Sequence, residues 1–151
     1  ERGTQASWMV TAAPDGTLTD RAGRTYPSLF WDGYAPLPDP ETGFVVARED
    51  AVSFLEDKLA QLGLNDREAA DFITYWAPHI RAHEYTFVSF DASTYVQAGA
   101  RVEPDTFIRV FMTIREARAD TVVQPQSFTA PPARTGFVAV EWGGMERNTI
   151  S

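Results

Sequence analysis

Cysteine is missing from all 151 residues. Its absence excludes a disulfide framework, every thiolate metal site and a cysteine nucleophile. It does not fix the compartment. Also missing is any run of about 18 apolar residues, so no membrane-spanning helix is expected. Positive charge is scarce, with 13 Lys and Arg against 21 Asp and Glu and a formal net charge of −8. A general binder of phosphate backbones needs a basic face, so nucleic acid is not an expected partner. No Gly-x-Ser-x-Gly elbow and no glycine-rich phosphate loop occur, which removes nucleotide chemistry and a serine hydrolase of the usual layout. No cofactor is implied.

What the chain does have is aromatic side chains: ten Phe, five Tyr and four Trp. They point to a dense, strand-rich core or to a surface on which sugar rings stack. The length suits one ordinary domain with a single core. The chain opens on Glu1 rather than Met and carries no basic-apolar signal stretch, so it reads as a processed or excerpted form.

Hydrophobic periodicity predicts an α+β fold: antiparallel, sandwich-like strands with an inserted hairpin of two helices, at about 48–62 and 66–78. Strands are expected at Ser7–Thr11, Thr17–Thr19, Thr25–Asp32, Phe44–Val46, Tyr85–Phe90, Tyr95–Ala98, Phe107–Arg115 and Gly136–Trp142. Pro14-Asp15-Gly16 and Asp20–Gly23 read as turns. Ala51, Leu55, Leu59 and Leu62 mark the buried face of the first helix. Gly63 occupies the position of a left-handed C′ residue. Asn65 and Glu68 are spaced as a capping box for the second helix, and Pro78 is expected to end or kink it. In the strand Phe107–Arg115, Ile108, Val110, Met112 and Ile114 share one face. Gln124 to Arg134, with three prolines, reads as a long extended loop within one domain spanning 1–146. Residues 147–151, and in the same polar stretch Glu146, have nothing to bury and read as a flexible tail.

Several residue patterns invite chemical readings. His79 and His83 stand four apart with Glu84 following, the spacing of a zinc-binding helix. Pro78 and the strand beginning at Tyr85 shorten that helix, so no metal is favoured there. Asp32 and Glu141 are carboxylates beside aromatic residues at strand ends, as a glycoside hydrolase requires of its acid and its nucleophile or base. Acidic residues capping strands are the commoner explanation. Leu59–Ala70 has the outline of a helix-turn-helix, yet residues 47–84 carry four basic against eight acidic side chains. A phosphate-lined groove would repel them, so an αα-corner packed on a sheet is preferred. The acidic loop Pro38–Gly43 lacks the alternating spacing of a calcium loop and reads as a solvated proline turn.

A set of blocks stands out together: Leu29-Phe30-Trp31-Asp32-Gly33, Leu62-Gly63-Leu64-Asn65-Asp66-Arg67-Glu68-Ala69, and Asp71-Phe72-Ile73 with Tyr75-Trp76 and Pro78. Arg109-Val110-Phe111-Met112 and Arg134-Thr135-Gly136-Phe137 leading to Glu141-Trp142-Gly143-Gly144 complete it. From about Trp8 to Glu146 this combination resembles an uncharacterised family of bacterial proteins that are often secreted or attached to the cell surface. That family carries no established activity, so the resemblance assigns no catalytic residue. Its members usually begin with a further strand-forming segment that has no counterpart here. The resemblance therefore implies a vacant sheet edge beside the Trp8 strand, filled by an upstream segment or a neighbouring chain.

These observations favour a non-enzymatic, secreted or cell-surface module that binds a protein partner or a glycan, in an extracellular setting. Trp31, Tyr34, Tyr75, Trp76 and Trp142 are the candidate contacts. The alternative is a hydrolase using Asp32 and Glu141, or a metal held by His79, His83 and Glu84.

Overall fold

In the strand that contains Ile108, Val110, Met112 and Ile114, strict alternation places those four side chains on one buried face. The computed structural model describes residues 10–13, 17–27, 39–91 and 104–147. Contacts divide the chain into two compact units, residues 1–38 and 39–151, where the sequence reads as one domain.

The first unit holds three short antiparallel strands in sequence order: β1 (Val10–Ala12), β2 (Leu18–Asp20) and β3 (Thr25–Tyr26). Asp20 makes the turn between β2 and β3. Its Oδ1 accepts the backbone N–H groups of Ala22 and Arg24, each at 2.9 Å, and Oδ2 accepts the Tyr26 hydroxyl at 3.1 Å. These bonds favour the ionised carboxylate, the one to the Arg24 N–H foremost, and hold the Asp20 pKa below its ordinary value. Of the expected strand Ser7–Thr11 only Val10 and Thr11 are described, within β1, while Tyr95–Ala98, the turn at 14–16 and the end of the third strand beyond Pro27 lie outside the described residues.

The second unit runs β4 (Phe44–Ala47), a 3-10 turn (Arg48–Asp50), α1 (Ala51–Gln61), α2 (Asp66–Arg81), β5 (Tyr85–Asp91), β6 (Thr106–Ala117) and β7 (Val138–Arg147). Its sheet order is β4-β5-β6-β7. The first two pairings are antiparallel, and the last, β6 with β7, is parallel. The α+β class and the helical hairpin agree with the sequence reading, while the parallel pair is a feature that the strand pattern did not carry.

Both helices lie on one sheet face. Leu55 and Leu59 of α1, with Phe72, Trp76 and Ile80 of α2, share a core with Val46, Val88, Phe90 and the alternating residues of β6. Full burial of a side chain such as Leu55 or Phe72 contributes roughly 1.5–3 kcal/mol. The opposite face also buries Phe87 and Phe111, with the Arg115 guanidinium 4.5 Å from the Phe87 ring centroid.

Gly63 ends the hairpin's first arm with φ of 101°, and the Leu64 N–H returns to the Leu59 carbonyl at 3.0 Å. The capping box then opens α2: the Asn65 side chain accepts the Glu68 N–H at 2.9 Å, and the Glu68 carboxylate accepts the Asn65 N–H at 3.0 Å. Pro78 does not end this helix, which continues to Arg81. The carbonyl that loses its donor belongs to Thr74, and both Thr74 and Pro78 are exposed, so water can satisfy it.

The parallel pair requires a crossover, and residues 118–137 supply it in extended form. This strap is tied down along its length. The Gln126 amide bonds both backbone groups of Phe90, at 2.8 and 2.7 Å. The Phe128 ring packs on Phe44 and Phe90. The Arg134 guanidinium donates to the Gly63 carbonyl at 2.9 Å and to the Glu68 carboxylate. The long loop read at Gln124–Arg134 is this strap.

Candidate functional site

Alternation along β7 turns Val138, Val140 and Trp142 toward the helices, where each packs against the core. Gly144 and Glu146 follow on the same face. Opposite this row, the helical spacing of α2 brings up Phe72, Trp76 and His79, with Tyr75 on the flank. The two elements close through aromatic contacts. Phe72 and Trp142 have ring centroids 5.1 Å apart, Tyr75 and Trp142 6.4 Å, and Trp76 and His79 5.2 Å. Tyr75 lies 5.1 Å from Trp76 and 5.4 Å from His79.

Gly144 makes this approach possible. A Cβ on it would stand 2.5 Å from the Trp76 ring and 2.6 Å from the Met112 carbonyl oxygen. Trp76 is accordingly buried, at 6% exposure, while Tyr75 keeps 47% of its surface in solvent. The Trp76 indole N–H is buried with no acceptor among the described residues.

Beyond the rings, Glu146 reaches the two histidines. His83 Nε2 is hydrogen-bonded to Glu146 Oε1 at 3.0 Å, and His79 Nδ1 stands 3.4 Å from Oε2. The residue read as tail is therefore the last-but-one position of β7 and a partner of both imidazoles. Arg147, placed with the tail as well, closes the strand and donates to Asp39 at 2.7 Å. Residues 148–151 lie outside the described residues.

The candidate residues separate clearly. Tyr75, Trp76, Trp142, His79 and His83 come together at one end of the α2–β7 seam. Glu146, and not Glu84, is the carboxylate within ion-pair distance of the histidines among the described residues. The two imidazoles meet opposite oxygens of that carboxylate, and among the described residues no group of three His, Asp or Glu is arranged to hold a metal ion. Glu141 points to the other sheet face, where it accepts from Arg109 Nε at 3.2 Å. Arg109 in turn lies 4.4 Å from the Phe107 ring centroid. Trp31, Asp32 and Tyr34 lie outside the described residues.

Glu146 is the site residue that sequence reasoning missed. The strand alternation from Val138 through Trp142 continues in phase to position 146, and that was the available signal. The strand expectation Gly136–Trp142 stops at the Gly143-Gly144 pair and so falls short of it. The arrangement offers an exposed phenol ring, a half-exposed imidazole beside it, and a carboxylate with spare acceptor capacity, all on rigid elements. No protein-family model matches this chain, and comparison with curated proteins and with solved structures likewise gives no match.

Proposed function

We propose that this chain is a non-enzymatic binding module that takes a glycan on the surface formed by Tyr75, His79, Trp142 and Glu146. The observation that carries this reading is the half-exposed Tyr75 ring, backed by His79 and Trp142, with the Glu146 carboxylate 3.4 Å from the His79 ring nitrogen. A sugar presents an apolar face of C–H groups and a rim of hydroxyls. Stacking on Tyr75 suits the first, and hydrogen bonds to Glu146 and His79 suit the second.

The ring spacings argue against a cage for a cation. With centroids 5.1–6.4 Å apart, the aromatic rings fill one another's space and leave no gap between them for an ammonium group. Contact is therefore confined to the outer face. Glu141, the carboxylate of the hydrolase alternative, lies on the opposite sheet face from this surface and is ion-paired with Arg109 at 3.2 Å, an arrangement that suits an ionised carboxylate rather than a proton donor. A secreted or cell-surface setting rests on the resemblance of the sequence blocks alone.

The test is titration of the protein with soluble oligosaccharides while following tryptophan fluorescence. Tyr75→Ala is expected to weaken binding about tenfold, in line with roughly 0.5–1.5 kcal/mol for a lost ring contact, and Tyr75→Phe to retain most of it. Undiminished binding by Tyr75→Ala, or release of shortened sugars, would overturn the reading.

A further inference from the structure

The outer side of the helical hairpin carries a second surface. Between α1 and α2 runs a groove of about 280 Å³. Leu64, Ala69 and Ile73 form its apolar floor, and the exposed Ala60, Ala70, Glu56 and Asp66 stand along its sides. Ile73 and Tyr75 are two positions apart, about 200° around the helix, so the groove and the aromatic patch occupy opposite flanks of α2.

Alanine on the floor lets a neighbouring backbone approach closely, while Leu64 and Ile73 offer apolar contact. Neither rim carboxylate takes part in an ion pair among the described residues. Asp57 is paired with Lys58 at 3.4 Å, and Asp71 lies on the Tyr75 flank of α2, so the negative charge at the groove is that of Glu56 and Asp66. The Lys58 ammonium is held between Asp57 and the Phe44 ring, 4.7 Å from its centroid, and does not line the groove.

We infer that this groove docks a basic amphipathic helix of a partner protein, with apolar anchors on the apolar floor and Lys or Arg against Glu56 and Asp66. Charge decides between the possible occupants. A second copy of this chain would set Glu56 and Asp66 against their own like charges, and an anionic lipid surface would be repelled in the same way. A cationic helix gains from both the rim and the floor, the arrangement by which helical peptides occupy grooves.

The probe is a fluorescein-labelled 18-residue helix of Leu and Lys, titrated with the whole chain and followed by anisotropy. Saturable binding that weakens with added salt is expected. Glu56→Lys with Asp66→Lys should reduce affinity at least about tenfold, and Ala70→Arg should do the same by crowding the groove from its side and adding a like charge. A control pair on exposed positions elsewhere, Glu116→Lys with Asp120→Lys, changes net charge equally and should leave affinity within about twofold. Circular dichroism confirms that each variant keeps its helices. Equal weakening by both charge-reversed pairs, equal binding of a Leu–Glu helix, or absence of saturation would overturn the proposal. So would self-association of the chain that Ala70→Arg abolishes. Tyr75→Ala should leave this binding intact, which separates it from the glycan reading.

Discussion

Gly144 has no room for a methyl group. Its Cβ would enter the Trp76 ring and the Met112 carbonyl at once, and neither lies at the end of a flexible chain. Gly144→Ala is expected to destabilise the fold by about 1–3 kcal/mol, the usual range for an overpacked core. Chemical denaturation should show a lower midpoint with an unchanged slope. Asp20 makes a contrasting case at a half-buried turn position. Because its hydrogen bonds depress its pKa below 3.8, its stabilising contribution is fully present above that unfolded value. It is lost as pH falls through the folded one. Asp20→Asn should therefore flatten the acid limb of the first unit's stability below about pH 4, as read from amide exchange in β2. At this scale legibility depended on sequence distance. Asn65 and Glu68 were readable as a cap because they are three residues apart. Glu146 was not readable as a partner of His83, because the two meet across 63 positions.

Among the elements, α2 shows most clearly how one residue serves several structures. Glu68 returns the capping bond to Asn65 and also receives Arg134 from the strap. Glu68→Gln preserves the reach-back of the box and removes the charge for Arg134, whereas Glu68→Ala removes both. The expected order of stability is wild type, then Gln, then Ala, with Ala lower by about 1–2 kcal/mol. Thermal melts should rank the three, and amide exchange around Thr135 should quicken in both variants. The helix itself was legible from its cap and its apolar stripe, but its end was not. Pro78 is a strong stop signal only where the freed carbonyl cannot reach water, and burial of that carbonyl is not written in the local sequence. The orientation of β7 was hidden for a related reason. Alternation in Val138–Trp142 fixes which side chains face inward, but a strand run either way along β6 would satisfy it.

The whole molecule joins an acidic chain to a sheet whose last strand arrives over a long connection. Composition carries the charge, and a net charge of −8 sets the expectation against a phosphate backbone as partner. It could not indicate that two candidate sets, the rings Tyr75, Trp76 and Trp142 and the histidines His79 and His83, belong to a single cluster. That union depends on the parallel register, in which Gly144 lies beside Met112. The same crossover has a kinetic consequence. Closing the strap before β7 can pair with β6 carries a loop-closure cost that rises with length, and parallel pairing at long range is slow. β7 should therefore dock after β4, β5 and the helices have associated, and substitutions confined to it should speed unfolding while leaving the folding rate nearly unchanged. Stopped-flow measurements on Val140→Ala would show this as a shift of the unfolding limb alone. Because Trp142 and Glu146 of the proposed glycan surface come from β7, that proposal implies binding only by chains that have completed this last step, and release by a brief detachment of one strand.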